Sequence, residues 1–324
     1  MQIKTIGWRR FALSAAVVVG LFLLELFFFR DVLNTTMLFG DAGDGRFNNL
    51  LAEHWFRVFT GKEGINQLPT FYPVSDTLGY SDILLGFGIP YSVLRLFGMD
   101  MFLANKVTIM LVHAMGTFSM YYLLRRKFQF RVSVSFAGTI AFMLSNAFSI
   151  MFVHTQLIFL AAVPLLAVFL YGFFENIKAD GHKRVFYGAA ALLWFGLILC
   201  TSFYIAYFTL LFGLGFVVVY CILQWCSRGR VFLPIGRFIK RHWLACLLYL
   251  AAVLIWAVPF LILYLPVLKT FGERDFTSAV LPMLPSWFDF FNCSPRNESL
   301  GPWVTQLLEA IRPGFNDRPF MAEL

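Results

Sequence analysis

Carboxylates are scarce and unevenly placed in this 324-residue chain: of 18 Asp and Glu residues, none falls between 101 and 174 or between 181 and 272. Charged residues of both signs make up only 14% of the chain, against 59% hydrophobic, and the mean hydropathy is +0.73. So little charge cannot cover a water-facing surface on all sides, which excludes an ordinary soluble domain. Cysteine is sparse as well. Cys200, Cys221, Cys226, Cys246 and Cys293 are scattered, four of them in or beside apolar segments, and they give neither a zinc spacing nor a disulfide framework. A Walker loop, a dinucleotide fingerprint, a G-x-S-x-G elbow and a zinc motif are all absent, which argues against a cytosolic nucleotide-driven enzyme. The net charge of +8 does not indicate nucleic acid, because the basic residues sit in short clusters between apolar runs.

What the chain has in quantity is long apolar runs. Residues 11–29, with Glu25 as their one acid, are long enough to cross a bilayer as a helix. Trp8, Arg9 and Arg10 precede them and no A-x-A-like cleavage site follows Phe29, which reads as an uncleaved signal anchor with its N-terminus in the cytoplasm. Further runs at 101–124, 132–152, 157–174, 185–201, 204–225 and 243–264 bring the expected spans to about seven. The stretch 82–98 carries Gly86, Gly88, Pro90 and Arg95 and is read as an interfacial helix instead. That choice puts the basic clusters at 125–131, 178–184 and 228–241 on the same side as Lys4, Arg9 and Arg10, as cytoplasmic loops require. If 82–98 crossed, all three internal clusters would lie outside.

The expected architecture is therefore an all-α polytopic membrane protein. Residues 1–29 form the cytoplasmic N-terminus and anchor, 30–100 an outer loop, 101–264 six further transmembrane helices and 265–324 an outer tail. Eight of the 18 acids lie between Asp31 and Asp100 and seven between Glu273 and Glu323, so any acid chemistry belongs to the outer face. Within the outer loop, 46–60 reads as an amphipathic helix. Phe47, Leu50, Leu51, Trp55, Val58 and Phe59 make its apolar stripe and Arg46, Asn49, Glu53 and Arg57 its polar face. Asp44 is placed to cap it and Gly61 to end it, and its polar face is expected toward an aqueous cleft at the membrane interface.

Asp41 and Asp44 are the first candidates for chemistry. Set among Gly40, Gly43 and Gly45, both carboxylates can point into one cavity, to bind a divalent cation or to act as a general base. A turn with a helix cap is the plainer alternative for Asp44. His54 lies at the border of the helix faces and suits an interfacial side chain or a ligand. Tyr72 and Asp82 belong to an aromatic-acid patch, 68–82, that fits either a sugar or the lipid headgroups. His154 and Gln156 interrupt an apolar run at the outer end of the third span, where they would face the cavity of the first loop. Lys106 and Arg274 are cations suited to a phosphate, or respectively a snorkelling lysine and a solvated loop charge.

Together these pieces resemble the type C (GT-C) polytopic membrane glycosyltransferases, and most closely uncharacterised bacterial members. The resemblance rests on "GDAGDGRFNNLLAEHWFRVFTG" (40–61), "FYPVSDTLGYSD" (71–82), "LLRRKF" (123–128) and "HTQ" (154–156), and covers the chain to about residue 280. It implies transfer of a sugar from a polyprenyl-phosphate donor to an acceptor on the outer side of a bacterial cytoplasmic membrane, with membrane lipids as partners and no nucleic acid. Asp41 is then the base that activates the acceptor and Asp44 the second choice, with Glu53, His54, Tyr72, Asp82, Lys106, His154, Gln156 and Arg274 around the substrates. His154 and Gln156 stand where a relative of this group has an acidic motif, which weakens the case for a metal. Relatives commonly continue with more spans, so an inactive truncated homologue is one alternative, and a lipid or sugar transporter or flippase another.

Overall fold

The computed structural model describes residues 2–34, 39–40, 43–145, 148, 154–177, 181–229, 235–271, 277, 287–291 and 301–315. Among them the regular elements are all helical, with no strand. Asp41 and Arg274 lie outside the described residues.

The first compact unit runs from Met1 to Val267. It opens with α1 (Gln2–Phe28) and the short α2 (Arg30–Asn34). Next come α3 (Asp44–Phe59) and α4 (Leu85–Leu96), and α5 (Met101–Tyr122) passes into a π-helical turn over Leu123–Lys127 that carries Arg125, Arg126 and Lys127. Then come α6 (Val132–Met143), the single turn α7 (Thr155–Ile158), a 3-10 turn over Phe159–Ala162 and α8 (Val163–Glu175). The helices α9 (His182–Leu199), α10 (Phe203–Arg228), α11 (Ile235–Arg241) and α12 (Trp243–Phe271) follow. The second unit, Leu268–Leu324, holds α13 (Gly301–Ile311), whose Val304 and Leu308 pack with Phe288 and Phe315.

Four helical stretches are long and apolar enough to cross a membrane: Met101–Lys127, Thr155–Glu175, Phe203–Ser227 and Trp243–Thr270. They coincide with four of the expected spans. Shorter apolar helices lie at Ala15–Phe28 and Val132–Met143, within two more, and α9 occupies the seventh. Burial is compatible with a membrane protein in the same way as length. Only 6% of the span window in α10 and 11% of that in α12 are covered by protein, leaving Phe212, Phe216, Leu244 and Ile255 exposed. An apolar helix left uncovered over its length suits an apolar surround such as lipid.

The core forms where α3 and α4 pack on the longer helices. Phe87 of α4, Ile109 and Val112 of α5, Phe159 of the 3-10 turn, and Ile198 and Cys200 at the end of α9 belong to one buried cluster with Leu51 and Trp55 of α3. Close approach depends on glycine. A Cβ on Gly88 would lie 2.5 Å from the Trp55 ring, so its absence lets α3 press flat on α4 while Trp55 Nε1 donates to the Ile83 carbonyl at 2.6 Å. A Cβ on Gly79 would collide with the backbone carbonyl of Leu263, which allows the 78–80 turn to lie directly on α12.

The faces of α3 differ from the sequence expectation. Leu51 and Trp55 are buried as expected, but so are Asn48, Asn49 and His54, while Leu50 and Phe59 are exposed. A purely apolar stripe presumes one greasy partner surface. Here the helix contacts α4 on one side and the polar-lined α5 and α7 on another. Asp44 is the first residue of the helix rather than its cap: Gly43 holds the capping position and no side chain caps the helix. Gly61, at φ +69°, stands just past the end, as its sequence position suggests.

Candidate functional site

The structure joins Asp44, at the start of α3, to His154, just before α7. His154 Nδ1 lies 2.7 Å from Asp44 Oδ2, and both side chains are about half exposed, at 49% and 46%. The residues are 110 apart in sequence, brought together because α3 packs on α7. Since the carboxylate can only accept, the ring nitrogen facing it donates, and the lone pair of the neutral ring is then on Nε2.

The helices α3, α5 and α7 contact one another, and each contributes buried polar side chains. Asn48 Nδ2 and Asn49 Oδ1 on α3, Asn105 Nδ2 and Thr108 Oγ1 on α5, and Thr155 Oγ1 and Gln156 Oε1 on α7 have no hydrogen-bond partner among the described residues. An unmade hydrogen bond in a buried setting costs about 1–3 kcal/mol, so such a concentration is what a polar ligand would satisfy. Lys106 is buried on the same helix as Asn105 and Thr108. Sequence reading singled out Lys106, His154 and Gln156, and the helices that carry them meet. It passed over Thr108 and Thr155: Thr155 stands between His154 and Gln156, whereas Thr108 has apolar neighbours on both sides and gave no signal.

Other candidates are occupied by the fold itself. Glu53 accepts from Tyr91 Oη at 2.7 Å and from Arg95 at 3.0 and 3.3 Å, tying α3 to α4. Burial and the bond to Glu53 push the Tyr91 hydroxyl far above the ordinary phenol range. The His54 ring, buried, clasps the turn after α3 through Glu63 at 3.3 Å and the Ile65 carbonyl at 2.9 Å. Asp82 is buried and accepts from the Phe203 backbone N–H at 2.7 Å, at the start of α10. Desolvation raises its pKa to about 6, with the Phe203 bond opposing the rise. Tyr72 projects into solvent, 91% exposed. Among the described residues no group of three or more His, Cys, Asp and Glu is arranged to hold a metal ion. The expected cation site depends on Asp41, outside them.

One constellation was not assembled from sequence. Glu25 of α1, 3% exposed, is bonded to His113 of α5: His113 Nδ1 lies 2.8 Å from Oε2, and Thr117 Oγ1 donates to Oε1 at 2.5 Å. The His113 ring stacks on Phe28 at 5.0 Å and meets Phe29 and Phe148 edge-on. Two lone ionisable residues in separate apolar runs were the available signal, because neither is stable in such a run without a partner.

No family model matches the chain, and no curated protein or solved structure does either.

Proposed function

We propose that the chain is a multi-pass glycosyltransferase of a bacterial cytoplasmic membrane, moving a sugar from a polyprenyl-phosphate donor to an acceptor hydroxyl on the outer side. In this reading it crosses seven times from a cytoplasmic N-terminus, so that residues 30–100 and the ends of α5 and α7 nearest them face outward. The observation that carries it is the Asp44–His154 pair, set against α3, α5 and α7 with their unpaired buried polar groups.

Asp44 holds the His154 ring with its proton on Nδ1, which leaves Nε2 to take the proton of the acceptor hydroxyl. The acceptor oxygen attacks the anomeric carbon, the bond from that carbon to the donor phosphate oxygen breaks, and polyprenyl phosphate departs with the electron pair. Lys106 and Arg274 suit the developing phosphate charge, and the base that the resemblance places at Asp41 is here assigned to His154, held by Asp44. An apolar cavity of about 290 Å³ between α4, α5 and α9, lined by Ile89, Leu111, Met115, Phe159, Trp194 and Leu197, suits a prenyl chain. The phosphoester of the donor is already activated, so the absence of nucleotide motifs fits.

Native mass spectrometry of protein purified from bacterial membranes tests the donor assignment. Retained polyprenyl phosphate or its sugar adduct is expected; bulk phospholipid alone would overturn it. The buried Glu25–His113 pair favours a second reading, a transporter, because ionisable pairs between apolar helices serve proton-coupled movement. It expects Glu25→Gln to stop lipid or sugar movement with no sugar released from phosphate.

A further inference from the structure

The second unit carries an apolar face that its described residues leave uncovered. At about 3.6 residues per turn, Trp303, Leu307 and Ile311 of α13 fall in line one turn apart with Ala310 beside them. All four are exposed, Trp303 at 66%. Val304 and Leu308 come next around the helix and pack with Phe288 and Phe315. Thr305, Gln306 and Glu309 take the opposite side. The apolar arc is therefore wider than the small core needs: one half of it builds that core and the other half faces away.

The bare half cannot turn inward, because contacts within the unit fix the rotation of the helix. Glu309 Oε1 accepts from the Gly314 N–H at 2.7 Å, where Gly314 turns the chain at φ +79°. The Phe315 N–H donates to the Arg312 carbonyl at 3.1 Å, and the Arg312 guanidinium lies 5.7 Å from the Phe288 ring. An apolar stripe held outward in this way calls for an apolar partner.

Connectivity supplies one. The unit begins at Leu268, inside α12, whose Trp243–Thr270 stretch is long and apolar enough to cross a membrane. A segment tied to a span meets the surface of that bilayer at a high effective concentration, which favours lipid over a partner that must arrive by diffusion. The 11 residues of α13 rise only about 16 Å, too little to cross a hydrocarbon core of about 30 Å, so the helix can lie along the membrane but not through it. Tryptophan and aliphatic side chains on one face with amide, hydroxyl and charged groups on the other is the pattern of a helix resting at the headgroups.

We infer that α13 lies in the headgroup boundary of the bilayer that α12 enters, with Trp303, Leu307 and Ile311 among the upper acyl carbons and Thr305, Gln306 and Glu309 toward water. It is a second attachment of the tail to the membrane, beside the span itself.

The test places the full chain, labelled with fluorotryptophan, in lipid nanodiscs and follows its eight tryptophans by fluorine NMR, the Trp303 signal being the one that Trp303→Phe removes. A doxyl label near the headgroup end of the lipid acyl chain broadens the Trp303 signal away, whereas a soluble gadolinium chelate leaves it in place. Leu307→Glu combined with Ile311→Glu, at exposed positions outside the Val304 and Leu308 core, reverses both responses. A Trp303 signal lost to the chelate and kept beside the doxyl lipid would overturn the inference. So would a signal kept with both probes, the result expected where protein, a second copy included, covers the stripe, and so would unchanged responses in the double variant.

Discussion

Replacing Glu25 by alanine strands the buried His113 donor and leaves the Thr117 hydroxyl only its longer bond, to the His113 carbonyl at 3.2 Å. Thr117 Oγ1 loses its 2.5 Å bond and His113 Nδ1 its 2.8 Å bond, and His113, enclosed by Phe28, Phe29 and Phe148, has no water-facing route to another partner. One stranded donor costs about 1–3 kcal/mol, and that is the expected scale of the single change. The lower half of that range is expected, because an unfolded chain kept in the bilayer re-pairs its polar groups, and interhelical bonds in membranes average only about 0.6 kcal/mol. Replacing both residues by apolar ones, Glu25→Leu with His113→Phe, removes donor and acceptor together and costs less than the sum of the single changes. The assay is reversible unfolding in bicelles across this double-mutant cycle, with Thr117→Val as a milder probe costing about 0.6–1.7 kcal/mol. Additive single effects, or a Glu25→Ala protein as stable as the parent, would refute the pairing of α1 with α5 through this carboxylate.

Asp82 gives a pH signature. Its folded pKa of about 6 exceeds the ordinary 3.8, so the folded state holds the proton more tightly and stability falls as pH rises from about 4 through 6. Asp82→Asn, which can still accept from the Phe203 N–H, is expected to match the parent at pH 4 and to exceed its unfolding midpoint at pH 7.5; parallel pH profiles would contradict this. Gly79→Ala is expected to cost about 1–3 kcal/mol in thermal melts, because the new methyl meets the Leu263 carbonyl and backbone cannot swing aside. Glu53→Gln loosens α3 from α4 by removing the charge from the Tyr91 and Arg95 bonds, and is expected to speed proteolysis near 61–80 without altering the α10 and α12 helices, as peptide mapping would show.

Much of the architecture was legible because a bilayer imposes one length rule on every span. Phe203–Ser227 and Trp243–Thr270 are apolar nearly all round, and their sequence ranges followed from that alone. The local geometry of the outer loop was harder. Leu84 adopts φ +55° at the start of α4, a backbone conformation that a bulky residue enters only when tertiary packing demands it, so nothing local announced the turn. Along α3, Asn49 read as part of the polar face and His54 as its border, because polarity usually means water. Both are buried, His54 against the turn that carries Glu63 and Ile65. The meeting of Asp44 with His154 was anticipated only as a shared outer end, whereas the Glu25–His113 bond required knowing which face of α5 turns to α1. Asp82 read as a binding residue from its aromatic neighbours, yet its carboxylate holds the start of a helix 121 residues away.

The central claim is sugar release at the Asp44–His154 pair. The direct measurement is turnover by purified protein in liposomes supplied with polyprenyl-phosphate-linked sugars, with release or transfer of labelled sugar followed over time. The parent protein is expected to exceed empty liposomes, and Asp44→Asn and His154→Ala to fall by about 10²-fold or more, the usual contribution of a positioned base. Turnover no greater than in empty liposomes, or undiminished turnover in both variants, would contradict the account.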